Sequence, residues 1–169
     1  MLLSFSTLFY IGFPFIVFCG LYLYKVNFNK QSAAINESFL AQTKALQPII
    51  FENIKLSYFE TRGFKIRYYP KNVADLYLFD NALVIMRRQN FIFKVTYPPL
   101  ILTSDVKSKK NVLNNHVYKP YSIIFKQVLK GEVEIKIRKS EYKRYNIGIT
   151  LKGLNNDQLI KLEKIKEWC

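Results

Sequence analysis

The chain has 169 residues, 50% of them hydrophobic and 16% aromatic, and a formal charge of +14. Apolar content on that scale excludes a disordered chain, because there is ample material for a packed core. Two cysteines exclude a disulfide-stapled scaffold, and the excess of Lys and Arg directs attention to anionic partners.

The chain opens MLLSFSTLFYIGFPFIVFCGLYLYK, with no charged residue before Lys25. Leu2 to Tyr24 matches the roughly 20 apolar residues that cross a hydrocarbon core. A cleaved signal peptide needs a basic n-region and a small-residue cleavage triplet, and neither is present. Cys19 follows Phe18 rather than a small residue, which argues against a lipoprotein leader. The sequence therefore predicts a retained transmembrane helix over 1–24. Lys25 and Lys30 flank its C-terminal end, and every Lys and Arg follows it. Positive residues beside a span stay cytoplasmic, so the expectation is a single-pass cell-membrane protein, N-terminus outside and C-terminal domain cytoplasmic.

Residues 25–60 read as a juxtamembrane segment. Within it Ile35, Phe39 and Leu46 suit one face of a short helix over about 34–46, ended by Pro48. After that the period falls to two. GFKIRYY (63–69), ADLYLF (74–79), ALVIMRR (82–88) and FIFKVTY (91–97) read as strands, with Asp80-Asn81 as a turn. PLILT (99–103) resumes after a proline pair, and 104–120 reads as a polar loop. YSIIFKQVL (121–129), GEVEIKIRK (131–139) and YNIGITLKG (145–153) complete an antiparallel meander. Val133, Ile135 and Ile137 alternate with charged residues, as in a strand with one wet face.

The terminal LNNDQLIKLEKIKEWC predicts an amphipathic helix. Asn155 and Gln158 form a capping-box pair, Leu154 and Leu159 a hydrophobic staple, and Leu159, Leu162, Ile165 and Trp168 one stripe widened by Ile160. The predicted fold class is α+β, a mainly antiparallel β-barrel over 61–169 closed by this helix and preceded by the transmembrane helix.

ADLYLFDNALVIMRR resembles the early hairpin of the GRAM and bacterial pleckstrin-homology-like families, and GITLKGLNNDQLIKLEKIKEW resembles their last strand, turn and capping helix. The resemblance covers about residues 60–168. It departs in the basic loop 104–120 and in the 25–60 segment. It implies a pleckstrin-homology-like barrel serving as a membrane-associated binding or scaffolding module, and it carries no catalytic residue to transfer.

Chemistry-bearing clusters are absent from the sequence. His116 is the only histidine and lies in the polar loop; Cys169 has no histidine partner beside it; Asp75 and Asp80 read as turn residues. No phosphate-binding, dinucleotide or CxxC motif occurs. The expectation is a non-enzyme with no cofactor and no metal. Lys107, Lys109, Lys110 and Lys119 cluster in one loop and are the candidate lipid-contacting residues. Arg87 and Arg88 end one strand, and Lys136, Arg138, Lys139, Lys143 and Arg144 crowd another turn. The expected partners are membrane lipids, anionic headgroups among them, or a protein. Nucleic acid is disfavoured, because no RNA-binding signature appears. The competing reading is an accessory subunit of a larger membrane protein complex.

Overall fold

The computed structural model describes residues 5–62, 65–90, 94–104, 117–126, 131–138 and 145–169. Helix α1 (Phe5–Thr43) comes first and ends in a 3₁₀ turn at Lys44–Leu46. The strands follow as β1 (Ile49–Arg62), β2 (Lys65–Leu78), β3 (Ala82–Asn90), β4 (Lys94–Thr96), β5 (Leu100–Thr103), β6 (Val117–Tyr118), β7 (Pro120–Lys126), β8 (Glu132–Arg138) and β9 (Tyr145–Lys152). Helix α2 (Asn156–Glu163) and a 3₁₀ turn (Lys164–Trp168) close the chain.

The described strands form one sheet in the order β6-β5-β3-β2-β1-β9-β8-β7, with β4 paired to β3. Its two outermost strands, β6 and β7, are separated in sequence only by Lys119, so a single stretch joins both edges and nearly closes a barrel. The predicted fold class needs correction here. The sheet is mixed, because β5 and β6 run parallel. An antiparallel meander does not give that pair; it arises because the chain returns over 104–116 before entering β6. Strand β1 begins within the stretch read as juxtamembrane and runs past its end at residue 60, and it sits in mid-sheet between β2 and β9.

The transmembrane expectation over 1–24 is corrected as well. Among the described residues no helix is long and apolar enough to cross a membrane. Residues 1–4 and the side chains of 5–12 lie outside that description. From Phe13 to Tyr24 the helix exposes apolar and aromatic side chains. It then continues without a break through Lys25, Asn27, Asn29 and Lys30, and the expected separate helix at 34–46 is its distal part. That polar half docks on the barrel. Asn29 Oδ1 accepts from the Thr96 amide at 3.1 Å, and Asn36 Nδ2 donates to the Tyr97 carbonyl at 3.2 Å. These contacts satisfy backbone groups at the short β4. Phe39 then packs with Val84, Met86 and Ile101 on the outer face of β3 and β5.

Inside the barrel, side chains from every long strand meet. Leu56, Leu76, Ile85, Leu102, Ile137 and Ile149 are among the fully buried ones, and Val133, Ile135 and Ile137 point inward as their alternation predicts. Helix α2 plugs one end. Asn155 Oδ1 accepts from the Gln158 amide and Gln158 Oε1 from the Asn155 amide, both at 2.9 Å, so the capping box forms. Leu159, Leu162, Ile165 and Trp168 are buried in the main core, whereas Ile160 is exposed and does not widen the stripe.

Gly148 on β9 faces Phe59 on β1 in register, and a methyl group there would overlap the Phe59 ring. Gly148→Ala is expected to cost about 1–3 kcal/mol, the range for overpacking. In a Phe59→Ala background it should cost almost nothing, because the two sites share one volume. Denaturant melts of the four chains in that cycle decide it; an unchanged penalty without Phe59 would place the clash elsewhere.

Candidate functional site

Side chains on β3 alternate, so Leu83, Ile85 and Arg87 share the face that looks into the barrel. The first two are core residues. The third is a guanidinium only 9% exposed, at the end of the barrel opposite α2. Ala74, directly across on β2, is small and fully buried, which leaves room for the longer side chain. Arg87 is therefore interior, not part of a surface pair with Arg88. The latter faces outward and bonds Asp75 Oδ1 at 2.9 Å; Asp75 also accepts from the Asn53 amide. Asp75 thus sits inside β2, not in a turn, whereas Asp80 does lie at the turn and faces Lys164 at 3.6 Å.

Aromatic rings surround the buried cation. The Arg87 Cζ lies 4.3 Å from the Tyr58 ring centroid and 5.1 Å from that of Tyr97. Tyr69 stands beside Tyr58 with ring centroids 5.9 Å apart. The main chain fixes Tyr97 through its amide, which donates to the Arg87 carbonyl at 3.2 Å, and its hydroxyl donates to Gln89 Oε1 at 3.0 Å. Tyr58, Glu60, Tyr69, Asn72, Arg87 and Tyr97 enclose a cavity of about 130 Å³. Asn72 is 5% exposed, and its Nδ2 donates to the Tyr69 carbonyl at 3.4 Å.

Two polar atoms in this group are left over. Neither Arg87 Nε nor Asn72 Oδ1 has a hydrogen-bond partner, and Arg87 makes no ion pair among the described residues. Cation–π contacts return about 0.5–2 kcal/mol each. Burying a guanidinium without a direct ion pair costs several kcal/mol, and besides the two rings the Tyr58 hydroxyl bonds to it and the Glu60 carboxylate lines the same cavity. Burial pushes the phenols of Tyr58, Tyr97 and Tyr118 above their ordinary range, and the Arg87 charge opposes the rise in each. The three hydroxyls are therefore neutral near pH 7 and cannot serve as bases there. The mouth offers one cation, the Glu60 carboxylate, the Asn72 amide, neutral hydroxyls and aromatic walls.

Two larger cavities carry less chemistry. One of about 440 Å³ lies between β7, β8 and α2, and its two lysines, Lys126 and Lys166, are paired with Glu134 and Glu163 at 2.6 and 2.8 Å. One of about 200 Å³ lies between the end of α1 and the outer face of β3 and β5, and its walls are mostly apolar.

Of the predicted lipid-contacting residues, Lys107, Lys109 and Lys110 lie outside the described residues, as does His116. Lys119 is exposed at the join of β6 and β7. Sequence reasoning missed the mouth cluster. The signal was strand parity: Arg87 falls two and four residues after Ile85 and Leu83 on the buried face.

Comparison with known proteins finds no matching family model, no matching curated protein and no matching solved structure. The class of this molecule therefore rests on its own geometry, a small barrel plugged at one end and polar at the other.

Proposed function

We propose that this chain is a non-catalytic binding module that works against an anionic lipid surface, at the cytoplasmic face of the cell membrane. The observation that carries the reading is the formal charge of +14 on a chain whose exposed apolar residues 13–24 run directly into Lys25 and Lys30. Apolar and aromatic side chains enter the headgroup boundary while basic ones remain at the lipid phosphates. The resemblance to pleckstrin-homology-like families supports it in outline, since a barrel plugged by a C-terminal helix is what that resemblance implies; the parallel β5–β6 pair departs from it.

Each Lys near an anionic leaflet contributes about 1 kcal/mol. Changing Lys107, Lys109, Lys110 and Lys119 to Gln is expected to weaken binding to anionic vesicles at least about tenfold. Binding of the parent should also fade with salt, as the field shortens to about 8 Å at physiological ionic strength. Vesicle sedimentation measures both. Equal binding by the quadruple variant would remove the loop from the reading. The same exposed apolar stretch favours a second reading, an accessory subunit of a larger membrane protein complex. Stoichiometric partners on a detergent-solubilised size measurement would select it.

A further inference from the structure

We infer that the polar mouth of the barrel is a binding site for a carboxylate group, held by Arg87. The guanidinium is buried, borders a cavity and makes no ion pair among the described residues. Tyr58 and Tyr97 face it, so an incoming group must meet an edge of the guanidinium that they leave uncovered. Edge-on recognition of a planar oxyanion is what a guanidinium does best. Turning the Asn72 amide over would bring its NH₂ toward the same oxyanion, at the cost of the 3.4 Å contact to the Tyr69 carbonyl.

Charge and size select the ligand. One guanidinium supplies one positive charge, and Glu60 lines the same cavity. With Glu60 counted, a bound monoanion leaves the site with one net negative charge and a dianionic phosphate leaves it with two, so the smaller charge is the better tolerated. The 130 Å³ cavity equals about four waters, enough for a carboxylate with one or two carbons. The rest of a longer acid would extend outward past the strand ends at Arg62 and Asn90. A free carboxylic acid and the terminal carboxylate of a peptide present the same head to the site. This pocket is separate from the charge-driven lipid contact, so the two readings fail separately.

The test is thermal melting of the full chain in non-ionic detergent, with sodium acetate replacing sodium chloride at fixed ionic strength. Acetate should raise the melting temperature saturably, and at about 100 times Kd the folding equilibrium shifts about 100-fold. Phosphate at the same ionic strength should raise the melting temperature only as a non-saturating salt effect that Arg87→Gln leaves unchanged. Arg87→Gln should abolish the acetate response, and the quadruple lysine variant should retain it. Asn72→Asp guards against misfolding of the Arg87 variant. It places a carboxylate beside the guanidinium from within, so the protein should melt at or above the parent and ignore acetate. Propionate against a short peptide with a free C-terminus then distinguishes the source, and a gain over acetate by either supports the site. A parent with no saturable response to acetate, an equal saturable response to phosphate, or an Asn72→Asp chain that still responds would overturn the assignment.

Discussion

Truncating Trp168 to alanine is expected to destabilise the domain by about 3–5 kcal/mol, the range for a buried aromatic. Trp168 lies in the 3₁₀ turn that follows α2. Here it is 6% exposed and belongs to the same core as Leu162 and Ile165. The capping box starts the helix, the leucine stripe turns it inward, and the 3₁₀ turn over Lys164–Trp168 sets the indole at the barrel end. Removing the indole opens a cavity that β7 and the last turn cannot both fill without moving. Ile160→Ala is the control. That side chain is 68% exposed, so its loss should stay within about 0.5 kcal/mol. Denaturant melts compare the two. A Trp168→Ala loss below about 1 kcal/mol would mean that the terminal helix does not plug the core.

The contrast between α2 and β1 explains what could be read from the chain in advance. In α2 the cap, the staple and the stripe are all local, so LNNDQLIKLEKIKEW contains every instruction. The same holds for β8, where each second residue is buried. Strand β1 hides its own period. Phe51 and Ile54 both face the core although they are three apart, because Asn53 adopts a φ of 57° and a bulge shifts the register there. Three-residue spacing imitates a helix, and the stretch therefore does not read as a strand. The second shift, between Leu56 and Tyr58, places its extra residue on β2, so Ile54, Leu56 and Tyr58 keep the two-residue period.

The mouth cluster was concealed for a different reason. Two adjacent arginines at a strand end look like a solvated pair, yet a strand sends neighbours to opposite faces. One arginine pairs with Asp75 outside and the other enters the barrel. Parity identifies which goes in only once Leu83 and Ile85 are known to face the core. The parallel β5–β6 pair was not legible at all, since it depends on where residues 104–116 bring the chain back.

Gly131→Ala is expected to cost about 3 kcal/mol, from two independent causes. Gly131 has a φ of 54°, and an L-residue in that left-handed region costs about 1–2 kcal/mol. The added methyl would also overlap the backbone carbonyl oxygen of Leu154, adding an overpacking cost of about 1–3 kcal/mol. That carbonyl cannot swing aside cheaply. The Leu154 amide donates to the Gly131 carbonyl at 3.0 Å, and the Leu154 side chain is buried as the residue that staples α2. Moving one end of this clasp moves the helix that plugs the barrel. Gly153→Ala separates the causes. Its φ is 73°, but a methyl there meets nothing within 4 Å, so only the conformational cost of about 1–2 kcal/mol should appear. Denaturant melts of both variants give the clash by difference. If Gly131→Ala is no worse than Gly153→Ala, the clasp between β8 and α2 yields freely, and α2 is held by its apolar stripe alone.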